Sequence, residues 1–169
     1  MDIALSLDFL VPGAKYGGSL GGNTKEEYDA LEWEDERGKP PWERVANNLE
    51  LLKAKKIEEF AQARWEQETG GLTLPNGAII KTDRESQALL TGASLYVLQN
   101  ATATVEWKGA NGWVTLTATE IQQIAMAVRN HVQAAFSREK ELAEKVEKIA
   151  NDGGLAAEEK YTAIATISW

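Results

Sequence analysis

TEIQQIAMAVRNHVQAAFSREKELAEKVEKIA, residues 119–150, is the stretch whose reading decides the fold. Ile121, Val128, Ala135, Leu142 and Ile149 recur every seven residues, and Ala125, Val132 and Val146 sit four positions further on. A repeat of that period, with Thr117 or Thr119 before it and Gly153-Gly154 after it, predicts one long helix with a coiled-coil-like seam. Glu139 interrupts the second row. The next row, Ile124, His131, Arg138 and Lys145, begins apolar and becomes charged. The first half of the helix therefore expects packing on several sides and the second half on one. Arg138 and Lys145 cannot be buried unpaired without a cost of several kcal/mol, so any seam beyond residue 136 is narrow or salt-bridged. Two partners for the seam stay open: another helix of the same chain, or a second subunit.

Upstream, Trp42 to Thr69 reads as a further helix, with Pro41 before its start and Gly70-Gly71 past its end. Its apolar members are Val45, Leu49, Leu52, Ile57, Phe60, Ala61 and Trp65. Residues 72–80 predict a hairpin, because Asn76-Gly77 suits a type I′ turn. Asp83 is an N-cap for the next helix, whose expected buried stripe is Ser86, Leu89, Leu90, Ala93, Tyr96 and Val97. A second hairpin spans Thr104 to Thr117, turning at Gly109-Ala110-Asn111-Gly112 between Trp107 and Trp113.

The two ends read differently. Ile3, Leu5, Leu7 and Phe9 alternate with Asp2, Ala4, Ser6 and Asp8, the period of a half-buried strand. Pro12-Gly13, the glycine-rich run 16–23, a short strand around Tyr28–Trp33 and the pair Pro40-Pro41 follow. Residues 161–169, YTAIATISW, predict a terminal β-strand that needs a partner for its open edge. The expected architecture is thus α+β: an N-terminal β-containing arm, a helical body with two short hairpins and one long C-terminal helix, and a terminal strand. The divisions are 1–41 as arm or docking segment, 42–152 as body and 153–169 as β tail.

Composition narrows the function. The chain has 169 residues, 43% of them hydrophobic and 26% charged, enough for a buried core in a soluble domain. Without cysteine there is no disulfide framework, thiolate metal site or cysteine nucleophile. One histidine, His131, excludes histidine clusters and reads as structural, since a catalytic site needs a constellation. Gly17 to Gly22 lacks the Gly-Lys-Ser/Thr of a phosphate cradle and reads as a hinge. No calcium-loop pattern, apolar run of membrane-spanning length or basic signal-peptide start is present. Asn100-Ala101-Thr102 fits a glycosylation sequon, a pattern short enough to arise by chance.

The net charge of −8 argues against a grip on nucleic acid, and no membrane insertion is expected. Residues 1–50 hold 11 acidic and 5 basic side chains, with Glu32, Glu34, Asp35 and Glu36 in one run. That run is either a solvated loop or a docking surface for a basic partner. Six tryptophans add interface candidates, since this side chain is enriched at binding hot spots, although most should be core. The residues expected at interfaces are Phe9, Tyr28, Trp33, Trp42, Ile121, Val128, Ala135, Leu142, Ile149, Ile167 and Trp169. Trp113 is a weaker candidate, for stacking on a sugar or a host receptor.

The ordered series Lys56-Ile57, Arg64, Gly70-Gly71, Asn76-Gly77, Thr82-Asp83, Ser86, Trp107, Gly112, Leu116-Thr117, Glu120, Val128, His131-Val132 and Phe136 resembles an uncharacterised domain that recurs in tail and tail-fibre assembly proteins of tailed bacteriophages. The resemblance covers roughly residues 50–150. The opening is similar to the leaders of such proteins, with Pro12-Gly13-Ala14 and then Tyr28-Asp29-Ala30-Leu31-Glu32-Trp33. It implies a virion tail component assembled in the bacterial host cytoplasm, with other tail or tail-fibre proteins as partners, a homo-oligomer among the options, and no catalytic residue, cofactor or metal to carry over. The alternative is an assembly chaperone that leaves before the particle matures. An enzyme acting on host surface glycans would need two close carboxylates, for which the sequence offers no motif.

Overall fold

The computed structural model describes residues 2–109 and 112–169. The heptad stretch forms one helix of 33 residues, α6 (Ala118–Ala150), about 50 Å long at 1.5 Å per residue. Thr117 is its cap: the Glu120 N–H donates to Thr117 Oγ1, and the Glu120 carboxylate accepts from the Thr117 N–H at 2.8 Å. The two residues thus satisfy each other's exposed donors. Ile121, Val128, Ala135, Leu142 and Val146 are buried in the single chain.

Thirteen elements are described in all, in a mixed α+β fold whose strands form three separate antiparallel pairs. They are α1 (Ile3–Leu10), β1 (Tyr16–Gly17), α2 (Lys25–Asp29), β2 (Glu32–Trp33), α3 (Trp42–Ala46), α4 (Leu49–Thr69), β3 (Leu72–Thr73), β4 (Ile79–Ile80), α5 (Arg84–Gln99), β5 (Thr104–Gly109), β6 (Gly112–Thr117), α6 and α7 (Ala157–Ala165). The chain divides into two compact units: residues up to 58 with 143–168, and residues 59–142 with Trp169.

In the first unit the opening segment is a helix, not the strand its alternation predicts. The Asp2 side chain accepts from the Leu5 N–H and caps α1, while Asn23 Oδ1 accepts the Ile3 N–H at 2.7 Å. Ile3, Ser6 and Leu7, at helical spacing, are buried. They pack with Tyr28, Leu31 and Val45, and Trp33 and Trp42 lie against this cluster. The segment read as an arm therefore packs into a core that it shares with Val45 of α3. The expected strand at Tyr28–Trp33 shrinks to β2, because Thr24 caps α2, whose last turn takes in Tyr28 and Asp29. Tyr16 pairs with Trp33 in register, and their rings stack 5.9 Å apart. Gly18, at φ +122°, sits where a Cβ would come within 2.9 Å of Leu31 Cδ2, so a side chain there costs both strain and space.

The single helix expected from Trp42 to Thr69 is two helices, broken at Asn47-Asn48. Asn48 is buried; its Oδ1 accepts the Leu51 N–H at 3.1 Å, capping α4, and its amide donates to the Ser6 carbonyl. Asparagine offers the backbone this alternative and so stops a helix that its apolar spacing would continue. The terminal strand is also corrected: residues 157–165 form α7. The Glu159 carboxylate accepts the Ala156 N–H at 2.8 Å, and Ile164 and Ile167, three apart, are buried. Lys56 Nζ donates to the Ile167 carbonyl and Lys160 Nζ to Ala150, at the carboxyl end of α6.

In the second unit both hairpins form. The first pairs Leu72 with Ile80, but its turn places only Gly77 at positive φ and bonds the Gly77 N–H to Leu74. That is a type I turn closed by a glycine bulge, since type I′ would need positive φ at Asn76 as well. The second pairs Thr104 with Thr117 through to Gly109 with Gly112; Ala110 and Asn111 of its expected turn lie outside the described residues. Val97, Ala118 and Ile121 form one buried cluster, with Ala93, Val105, Trp107 and Leu116 against it. Asp83 caps α5 as expected.

Candidate functional site

The densest polar arrangement in the second unit is built around Arg64 on α4. Its Nη1 lies 2.6 Å from Glu68, one turn on, and its Nε lies 2.9 Å from Glu139 on α6. The guanidinium also stacks 4.7 Å from the centre of the Phe136 ring. Glu68 is 3% exposed, and its second oxygen faces Gln87 and Arg84 at the start of α5. Gln87 donates in turn to the Thr82 carbonyl, and the fully buried Thr82 hydroxyl accepts the Gly71 N–H at 2.9 Å.

One turn away, Gln67 is held twice. His131 Nε2 donates to its backbone carbonyl at 2.7 Å, and Trp169 Nε1 donates to its side-chain oxygen at 3.1 Å. Both bonds anchor the last turn of α4, where carbonyls lack helical partners. Chemically the cluster is a clamp that ties α4, α5 and α6 through one guanidinium and two carboxylates. Among the described residues no buried side-chain polar atom lacks a partner, and no His, Asp and Glu grouping fits a metal ion.

The residues predicted at interfaces are dispersed. Ile121, Val128, Ala135, Leu142 and Ile167 are buried and Ile149 half-buried, all covered by the chain itself. Tyr28 is buried with its hydroxyl donating to the Pro40 carbonyl, and burial raises its pKa. Trp33, Trp42 and Trp169 are half-buried, and Trp33 Nε1 donates to Arg37. Phe9 alone among the eleven stays exposed, at 46%. Within the acidic run, the Arg37 guanidinium holds the Asp35 carboxyl well below the usual range.

A different set of apolar side chains is open to solvent. Of the exposed large apolar residues among those described, ten lie within residues 59–142 and four outside. Leu89 and Tyr96, expected in the buried stripe of α5, are 60% and 53% exposed. The face that is covered runs through Ser86, Leu90, Ala93 and Val97. Trp113 on β6 is 69% exposed, with the Lys108 ammonium 5.8 Å above its ring. The Arg64–Glu68 pair was readable in principle from its four-residue spacing on a helix, but spacing alone does not say which such pairs are buried.

A hollow of about 280 Å³ in the first unit is lined by Val45, Leu52, Lys55 and Tyr161 among others. The Ser6 hydroxyl and Asn48 amide at its wall are already committed to backbone carbonyls. No described helix is long and apolar enough to cross a membrane. A family model described as a domain of unknown function, DUF4376, matches residues 51–166. No curated protein and no solved structure matches the chain.

Proposed function

From the premise that this chain belongs to the DUF4376 family, we propose that it is a non-enzymatic tail protein of a tailed bacteriophage, a structural or tail-fibre-associated component that works through protein–protein interfaces. The observation that carries the interface part is the concentration of exposed large apolar side chains in residues 59–142, inside the span the family model matches. Exposed apolar surface on that scale is unfavourable for a solitary domain and favourable for one that is covered by a partner. The bacteriophage part is supported by the ordered series from Lys56 to Phe136, which resembles domains of tail proteins. The partners on this reading are other tail or tail-fibre proteins, and the location is the virion.

The test is quantitative mass spectrometry of purified particles of the phage that encodes the chain. A fixed, integral ratio to a tail protein of known copy number is the expected result. Absence from particles with abundance in the infected-cell lysate would overturn it in favour of an assembly chaperone, whose interface should be smaller, more polar and reversible.

A further inference from the structure

We propose that the hollow in the first unit is a binding site for a small zwitterion with an apolar body, an apolar α-amino acid being the simplest. Its volume of about 280 Å³ is just under the roughly 300 Å³ at which small-molecule pockets begin, which suits a ligand of that size. The floor is polar and closed. Ser6 and Asn48 are 2% and 7% exposed, and the Asn48 amide donates to the Ser6 carbonyl. From that contact α1 runs back one turn to Asp2, and α4 runs on through Leu51 and Leu52 to Lys55. Asn48, Leu51, Leu52 and Lys55 share one stripe of the helix by their spacing, a wall about 10 Å long. Asp2 and Lys55 are exposed at the rim, and Tyr161 of α7 is half-buried in the same lining.

The charges of the walls select the occupant. Asp2 and Lys55 carry opposite charges on two sides of one hollow, and no ion pair joins them. One Asp2 oxygen accepts the Leu5 N–H, which leaves the second for a ligand. The Lys55 ammonium and the Tyr161 hydroxyl have no partner among the described residues. A simple anion would meet Asp2, and a simple cation would meet Lys55. A wholly apolar ligand would strip water from these groups without replacing its hydrogen bonds. A zwitterion answers both charges: its ammonium donates to Asp2, and its carboxylate accepts from Lys55 and Tyr161. Val45, Leu51 and Leu52 then cover its apolar part. Because both charged side chains are exposed, each ion pair adds only about threefold to fivefold in affinity. The site does not depend on the chain's being a virion component.

Titration of the full chain with leucine, followed by nuclear magnetic resonance, tests it. Leucine should give saturable shifts confined to the walls of the hollow. Isocaproate, which lacks the ammonium, and isoamylamine, which lacks the carboxylate, should each bind about threefold or more weakly. The substitutions should cross over. Asp2→Asn should weaken leucine and isoamylamine without weakening isocaproate, and Lys55→Gln should weaken leucine and isocaproate without weakening isoamylamine. Asparagine still caps α1, and position 55 is exposed, so both variants keep the fold. Absence of saturable shifts with leucine, methionine and phenylalanine alike overturns the proposal. Equal weakening of all three leucine-series ligands by either variant, the mark of a merely structural effect, overturns it too.

Discussion

Glu68 is the side chain whose loss should be felt most. It is buried against Arg64, and removing one member of a buried pair strands the other charge, at about 3 kcal/mol or more. Glu68→Ala should lower the urea midpoint with an unchanged m-value, and Glu139→Ala, whose carboxylate is 26% exposed, should lower it less. Equal effects would mean that Arg64 does not depend on the buried partner. At this scale the sequence was only partly legible. Arg64 drew notice in the ordered series, and Asp83 was readable as a cap because its type and position suffice. Glu68 was not singled out, since burial of a charge depends on what other elements bring over it. Leu89 and Tyr96 were misplaced because an apolar residue beside a buried stripe has the same spacing whether or not anything covers it.

At the scale of elements, capping decided what periodicity alone could not. Ile3, Leu5, Leu7 and Phe9 satisfy a period of two, but Ile3, Ser6 and Leu7 also satisfy a helical face, and the Asp2 cap selects the helix. The same holds for residues 157–165, where Glu158 and Glu159 in the first turn suit the positive end of a helix. Both hairpins and the long helix were legible because Asn-Gly and a sustained heptad row are strong local signals. The α3–α4 break was not, since Asn47-Asn48 interrupts no apolar spacing.

The caps also set an acid limit. The Ser86 N–H and hydroxyl lower the pKa of Asp83, and the Thr117 N–H and hydroxyl lower that of Glu120. A carboxylate depressed by folding stabilises the native state above its ordinary value, 3.8 for Asp83 and 4.5 for Glu120, and loses that contribution as pH falls through the lower folded value. Thermal stability measured from pH 6 downward should fall below about pH 4.5, and Asp83→Asn with Glu120→Gln should flatten that fall. An unchanged slope would assign the acid loss to other carboxylates.

For the whole molecule, the charge asymmetry and the α+β character were readable from the chain, and the packing of the N-terminal segment against Val45 of α3 was not. Its glycine-rich run reads as flexible until Tyr16 is seen to stack on Trp33 and Asn23 to hold the Ile3 N–H. The heptad row, open between an internal and an intersubunit seam, is buried within the single chain from Ile121 to Leu142 and half-buried at Ile149, and the exposed apolar surface lies elsewhere. The bond from His131 to the Gln67 carbonyl has a spectroscopic corollary. With one histidine in the chain, every imidazole signal in a nuclear magnetic resonance spectrum comes from that site. The carbon-bound ring protons should give one set of shifts while the ring is held by that carbonyl and a different set when the bond opens. The carboxyl end of α4 therefore reports its own opening, without a label, at one resolved frequency.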